Sequence, residues 1–276
     1  MRRLLLILPM LVIAGLAVAA YAFAEARRDP VVRRATVALP LWPAGARPIR
    51  VALLSDIHIG SAASDAARLR RIVAQVDALR PDLVLIAGDF IFGERSDGAA
   101  LHGATMIAPL RALHAPLGVV AVAGNHDYHT GIGVVRQQLA AAGVRLLRNQ
   151  AAQIGPLSIG GIDDSVTGHA KVVSTTNKAR KTPGARILLT HSPDVAHFLT
   201  PDMTLLLAGH THCGQIVLPV IGPVAEVAAA RYRCGLVREA TRTVIVTAGI
   251  GTSGVPFRLG APPDLWLLTL GPKAAR

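Results

Sequence analysis

Five short apolar runs in this chain each end in side chains able to bind a metal ion. Val51-Ala-Leu-Leu54 leads into Ser55, Asp56 and His58, and Leu83-Val-Leu-Ile-Ala87 leads into Gly88 and Asp89. Val119-Val-Ala-Val-Ala123 leads into Gly124, Asn125, His126 and Asp127. Ile187-Leu-Leu189 leads into Thr190 and His191, and Leu205-Leu-Leu-Ala208 leads into Gly209, His210, Thr211 and His212. Short apolar runs bounded by Gly and polar residues read as buried strands. In open α/β sheets, ligands sit beyond the carboxyl ends of the strands. Asp56 and His58 are two residues apart, so in an extended tail they point the same way. Taken singly, that pair reads equally well as a turn Asp beside a satisfied His. Satisfied core histidines do not account for the same pattern at five run ends.

The segments between the runs set the fold class. From Ser64 to Leu79 the spacing of Ala67, Ile72, Val76 and Leu79 is helical, with Ser64 or Asp65 as cap and Pro81 as stop. Residues 91–98 form a polar loop over the proposed site. A second helix is expected around 100–114, broken at Pro109, and a third from Val134 to Ala142, ending at Gly143. Strands follow at Arg145–Asn149, Ala151–Ile154 and Leu157–Ile162, then a helix within 168–180, then strands at Thr243–Thr247 and Asp264–Leu270. Strand and helix alternate early, and strands dominate late. The pattern predicts an α/β fold: a four-layer α/β/β/α sandwich of two mixed sheets with outer helices.

Ahead of that domain, Leu4 to Ala24 is an uncharged apolar run, with Arg2 and Arg3 before it. It is long enough to span a bilayer as a helix. Ala22-Phe-Ala24 resembles a cleavage site, so a cleaved signal is the alternative to a retained anchor, and Arg2-Arg3 also reads as a weak twin-arginine signal. The expected division is an anchor or signal segment over 1–24, a Pro-rich linker and edge segment over 25–48, and one catalytic domain over 49–276. Arg27, Arg28, Arg33 and Arg34 follow the span, and by the positive-inside rule they place the domain in the cytoplasm. A signal-like N-terminus sends it the other way, and the sequence leaves the two opposed.

The net charge of +12 could suit nucleic acid or an anionic membrane, but only 4% of residues are aromatic and no basic stripe interleaves with them. Nucleic acid is therefore not the expected partner. Two cysteines, Cys213 and Cys234, are too few for a disulfide framework. Cys213 reads first as a small buried hydrophobe; a thiol near the metals and one disulfide with Cys234 are the other readings.

Asp56, His58, Asp89, Asn125, His191, His210 and His212 together mix carboxylate, imidazole and amide oxygen, which suits Mn, Fe or Zn. Seven donors exceed the needs of one ion. A bridging carboxylate, Asp89 by its place in the set, would hold two ions about 3.5–4 Å apart to bind a phosphate and activate water. His126 is then the candidate to protonate the leaving oxygen, with Asp127 orienting its ring. His102, His114, His129, His169 and His197 read as surface or loop residues, His129 being the best exception. Arg258 reads as a solvated arginine or a phosphate contact. Gly249–Gly254 reads as a tight loop beside the site; it lacks the P-loop pattern.

Asp56-x-His58, Gly88-Asp89, Gly124-Asn-His-Asp127, His191 and Gly209-His-Thr-His212 resemble, in order and spacing, the calcineurin-like metallophosphoesterases, from about Arg50 onward. The resemblance implies one metal held by Asp56, His58, Asp89 and His212, a second by Asp89, Asn125, His191 and His210, and His126 as catalytic histidine. The apolar N-terminus, Gly209–Gln215 and the tail from Gly249 to Asp264 look like a bacterial membrane-associated phosphodiesterase branch. That branch is similar to one type of UDP-2,3-diacylglucosamine pyrophosphatase of lipid A synthesis. It implies a single span in the bacterial inner membrane. The expected function is hydrolysis of a phosphodiester or pyrophosphate, with a tethered general or nucleic-acid phosphodiesterase and a non-catalytic metal-stabilised scaffold as alternatives.

Overall fold

The computed structural model describes residues 2–273. In chain order the principal elements are α1 (Arg2–Arg27), β1 (Val31–Leu39), β2 (Ile49–Leu54), α2 (Ala66–Ala78), β3 (Leu83–Ala87), α3 (Gly98–His102) and α4 (Ala104–Arg111). They continue with β4 (Val119–Val122), α5 (Asn125–His129), α6 (Ile132–Ala141), β5 (Val144–Leu146), β6 (Gln150–Ile154), β7 (Leu157–Gly161) and α7 (Val172–Lys181). The last are β8 (Ala185–Leu189), β9 (Leu205–Ala208), the hairpin β10 (Val217–Leu218) and β11 (Gly222–Pro223), β12 (Gly235–Arg238), β13 (Thr243–Val246) and β14 (Asp264–Pro272).

The large strands form two six-stranded mixed sheets, ordered β1-β14-β2-β3-β4-β5 and β12-β13-β9-β8-β7-β6. Strand parity sorts their side chains into layers. Val51 and Leu53 of β2 join Leu85, Val120, Ile187, Leu189, Leu205 and Leu207 in the core between the sheets. Ala52 and Leu54 face outward and pack with Leu69, Ile72 and Val76 of α2, Met106 and Leu110 of α4, and Val135 and Leu139 of α6. On the other outer face, Leu188, Leu206 and Val244 meet Ala179 of α7 and Val195 of the 3-10 segment Pro193–Phe198. The result is the expected α/β/β/α sandwich.

Several local expectations change. Asp65, rather than Ser64, caps α2, accepting from the Arg68 amide at 2.8 Å. The helical stretch near 100–114 breaks at Gly103, while Pro109 sits inside α4. Within the stretch read as linker and edge segment, Val31–Leu39 is an edge strand paired in parallel with β14 from end to end. Finally, α1 runs on to Arg27, through the Ala22-Phe-Ala24 motif, and its stretch Pro9–Arg27 is long and apolar enough to cross a membrane.

Candidate metal centre

Parallel pairing of β2 with β3, of β3 with β4 and of β8 with β9 sends their carboxyl ends to one edge of the two sheets. Asp56 and His58 follow β2, Asp89 follows β3, Asn125 and His126 open α5, His191 follows β8, and His210 and His212 follow β9. Asp56, His58 and His191 are fully buried, and Asp89 very nearly so. His58 Nε2 lies 3.2 Å from His212 Nε2 and 3.6 Å from Asp89 Oδ2. His212 Nε2 lies 3.4 Å from Asp56 Oδ1. On the other side of Asp89, His191 Nε2 is 3.1 Å from Asp89 Oδ2 and 3.1 Å from His210 Nδ1. Potential ligands thus gather on both sides of the Asp89 carboxylate: Asp56, His58 and His212 lie together, His191 and His210 lie with Asp89, and His58 and Asp89 also group with His126.

The backbone that does this is not the extended tail expected for Asp56 and His58. Asp56 (φ 53°), His58 (φ 48°), Asp89 (φ 57°), His210 (φ 72°) and His212 (φ 49°) all adopt left-handed conformations. Each costs on the order of 1–3 kcal/mol and persists where surroundings over-determine it. Here the Asp56 amide donates to Gly88 O at 2.9 Å and the His58 amide to Asp89 O at 3.1 Å, so the two strand-end loops clasp each other. The approach is close enough to exclude side chains. Gly249, at φ +72°, would place a Cβ 2.5 Å from Asp56 Cβ.

The electrostatics fit cations at these donors. Asp56 Oδ1 and Asn125 Oδ1 are buried with no hydrogen-bond partner, which a buried polar atom tolerates poorly. Burial raises the Asp56 carboxyl to about 6. Burial also opposes ionisation of Asp89, but the facing His191 overcomes it and holds Asp89 well below the carboxylate range. Against its own burial, His191 is raised in turn by Asp89 and Asp56 to about 10. Burial lowers His58 to about 3 and His210 to about 4, keeping both imidazoles in the neutral form that ligates. The donor set is oxygen and imidazole nitrogen throughout, as divalent first-row ions require.

His126 stands at the mouth of this cluster, half-buried. Its Nδ1 is 2.7 Å from Gly93 O, and a carbonyl only accepts, so Nδ1 carries a proton. Its Nε2 is 3.2 Å from Ser253 Oγ. The ring is therefore oriented by the loop over the site, and not by Asp127 as expected. Asp127 instead accepts from the amides of Phe90 (2.8 Å), Gly124 (2.9 Å) and Asp89 (3.0 Å), and so holds the Asp89 loop against α5. Neither expectation for Arg258 holds: it is fully buried and donates to Gly251 O and Ala248 O at 2.7 Å and to Ala261 O at 3.0 Å. It clamps the 248–261 loop behind His212. Gly93 and Ser253 lie in the two loops, 91–98 and 249–254, that the sequence places over and beside the site, but neither residue is singled out there. Buried Asp164, whose charge acts on His210, lies in a loop with no motif and escaped the sequence reading. His102, His114, His129, His169 and His197 are exposed, and the His129 ring centroid is 6.0 Å from that of His126.

The calcineurin-like phosphoesterase family profile matches residues 49–214. An uncharacterized metallophosphoesterase of Bacillus subtilis is 30% identical, covering 85% of this chain and 83% of that protein. The chain belongs to the calcineurin-like phosphoesterase family. It is also similar to a zebrafish (Danio rerio) transmembrane protein with metallophosphoesterase domain, at 30% identity over 96% of this chain and 62% of that protein. An uncharacterized metallophosphoesterase of Aquifex aeolicus is 29% identical, covering 87% of this chain and 91% of that protein. The chain thus spans less than two thirds of the zebrafish relative.

Two further features shape the candidate metal centre. A cleft of about 260 Å³ opens over it, lined by Asp89, Asn125, His126, His210, Gln215 and Ser253. A larger, mostly apolar groove of about 760 Å³ meets that cleft at Val227 and runs along Val166, Val172, Val173, Val195 and Phe198. Cys213 is buried, but as half of a disulfide with Cys234, which corrects the first reading of it as a free small hydrophobe. The bond ties the loop bearing His212 to the segment after the β10–β11 hairpin.

Proposed function

We propose that this chain is a membrane-anchored dimetal phosphoesterase that hydrolyses a phosphodiester or pyrophosphate bond of a lipid-linked or envelope substrate. The observation that carries the reading is the convergence of Asp56, His58, Asp89, His191, His210 and His212 from four strand ends, with Asn125 lining the same cleft and orphaned oxygens on Asp56 and Asn125. Asp56, His58, Asp89 and His212 would hold one divalent ion and Asp89, Asn125, His191 and His210 the other, with Mn, Zn or Fe suited to the set. Two such ions, when bound, neutralise phosphate charge and lower the pKa of water enough to supply a nucleophile. His126, fixed through Nδ1 on Gly93, presents Nε2 to the cleft and, as the imidazolium with a proton on each nitrogen, gives the Nε2 proton to the leaving oxygen. Ser253 meets that nitrogen and holds it in register. Asp127 keeps the Asp89 loop in place.

The apolar groove supports a substrate with an aliphatic part. Retention of α1 is supported by its packing through the cleavage-like motif: Ala22 and Ala26 are buried, and Arg68 donates to the carbonyls of Arg27 (3.2 Å) and Arg28 (3.1 Å). The zebrafish relative's description as a transmembrane protein supports the same reading. UDP-2,3-diacylglucosamine joins a pyrophosphate to acyl chains and is the candidate substrate for a cytosol-facing domain. The Cys213–Cys234 disulfide supports a domain facing an oxidising compartment, and with it an envelope phosphodiester in place of a cytosolic nucleotide-linked lipid.

The test is the purified full chain with Mn, given UDP-2,3-diacylglucosamine and, separately, an aryl phosphodiester. UMP release much faster than aryl-ester cleavage assigns the first substrate. Aryl-ester cleavage alone leaves an envelope phosphodiesterase. Asp89→Asn removes the shared charge and is expected to abolish both activities and lower bound metal together; full activity in that variant sinks the two-metal reading.

A further inference from the structure

The stretch Ile216-Val-Leu-Pro-Val-Ile-Gly-Pro-Val-Ala-Glu-Val227 builds the β10–β11 hairpin and its exit, and turns apolar side chains to solvent. Val220 is fully exposed, Ile221 is 77% exposed and Val224 65%. Contiguous exposed apolar surface on a soluble face marks an interaction site. The single charged residue in the stretch, Glu226, is paired with Arg233 at 3.0 Å.

What covers this surface follows from its neighbour. The strip Ser253–Gly260 lies between the hairpin and α1. On one side the Arg258 amide donates to Ala22 O at 2.9 Å, and Phe257 packs edge-on against Phe23 with centroids 6.4 Å apart. On the other side the Val217 amide donates to Leu259 O at 2.7 Å. The last turns of α1 and the base of the hairpin are therefore bonded to adjacent residues of one strip. α1 is fixed there, with Ala26 buried, Arg27 donating to Ala62 O at 2.7 Å, and Arg68 bonded to its final carbonyls. Its outer part is apolar and exposed at Leu11, Ile13 and Leu16. The same strip also walls the metal cleft through Ser253 and Gly254, and Gln215 ties the two walls by donating to Ser253 O at 2.8 Å.

We propose that residues 216–227, with Val255 beside them, form a membrane-interface element that inserts next to α1 and sets the mouth of the metal cleft against the lipid headgroups. The partner is the bilayer, because the helix that leaves the domain beside this surface has the length and composition to enter one. A phosphoester reaching the cleft would then come from a bilayer lipid or a lipid-linked headgroup. This substrate statement rests on the phosphoesterase reading above; the docking itself does not.

The test uses the full chain reconstituted in phosphatidylcholine vesicles brominated at mid-chain. Ile221→Trp is expected to add tryptophan emission that the brominated lipid quenches at least twofold relative to unbrominated vesicles. Leu41→Trp is the control. Leu41 is exposed and lies beyond the far end of the nine-residue β1, about 30 Å along the strand from the exit of α1. Its added emission should be unaffected by bromine. Val220→Trp repeats the first measurement at the neighbouring position, so poor folding of one variant does not decide the result. Quenching at neither hairpin position, or equal quenching at 41, overturns the docking. Aryl phosphodiester cleavage by the same vesicles with Mn reads the phosphoesterase assignment separately. Its absence with quenching intact overturns that assignment and upholds the docking.

Discussion

At His126 the chain separates two jobs that one side chain could have shared. Nδ1 is committed to Gly93 O, so only Nε2 is free for substrate. His126→Ala is expected to leave metal content unchanged while slowing turnover about 10²–10⁴-fold on a substrate with a poor leaving group. Metal analysis beside steady-state rates checks it, and an unchanged rate rules out the acid role. Asp127 is expected to behave differently because it touches three backbone amides and not the imidazole. Asp127→Asn should weaken metal binding by about 10–100-fold, as loss of a supporting shell does. A titration with Mn would show this. Normal metal affinity with a shifted pH–rate profile would return Asp127 to a role through His126.

Among the elements, α7 and β8 are joined at their solvent side by Asp202. It accepts from Arg180 at 2.9 Å and from Arg186 at 3.2 Å. The Arg180 hydrogen bonds, opposed by partial burial, hold its carboxyl below the ordinary carboxylate range. A carboxyl depressed in the folded state stabilises fully above its unfolded pKa, about 3.9, and loses that contribution as pH falls through the folded value. Asp202→Asn is therefore expected to lower the denaturant midpoint at pH 7 and to flatten its decline below about pH 4. Parallel midpoint curves for the two proteins across that acid range would refute it.

Across the whole molecule, α1 is both a candidate membrane span and, through buried Ala22 and Ala26, a packed part of the domain. Its two halves should separate by truncation. Removing residues 1–20 is expected to release the protein from membranes with little loss of stability, since Ala22, Ala26 and the Arg68 contacts remain. Removing residues 1–28 should also lower the melting temperature by about 2–8 °C, because buried Arg68 loses two acceptors worth on the order of 1 kcal/mol each. Sedimentation with vesicles and thermal melts read the two effects apart. Equal melting temperatures would mean the clamp on α1 contributes nothing.

Local pattern specifies the central strands β2, β3, β4, β8 and β9, their buried faces and the donors beyond their ends, though not β1, β10, β11 or β12. Apolar runs such as Leu83–Ala87 and Leu205–Ala208 carry periodicity and polarity that any local reading detects, and the donors follow them without a gap. The apolar length of α1 and the helix over Ala66–Ala78 were legible for the same reason. How the donors face one another is set by contacts between distant loops. Five of the donors stand in left-handed backbone, which Asp and His enter more readily than most residues but which is uncommon for any of them, held there by loops clasping across the sheets. The tertiary fold likewise dictates that Gly93, far along the chain, orients His126, that Arg258 is buried behind His212, and that Cys213 finds Cys234. These are contacts between distant loops, and local pattern carries no record of them. They exist because a buried polar group must find partners within the protein, and the fold alone determines which ones.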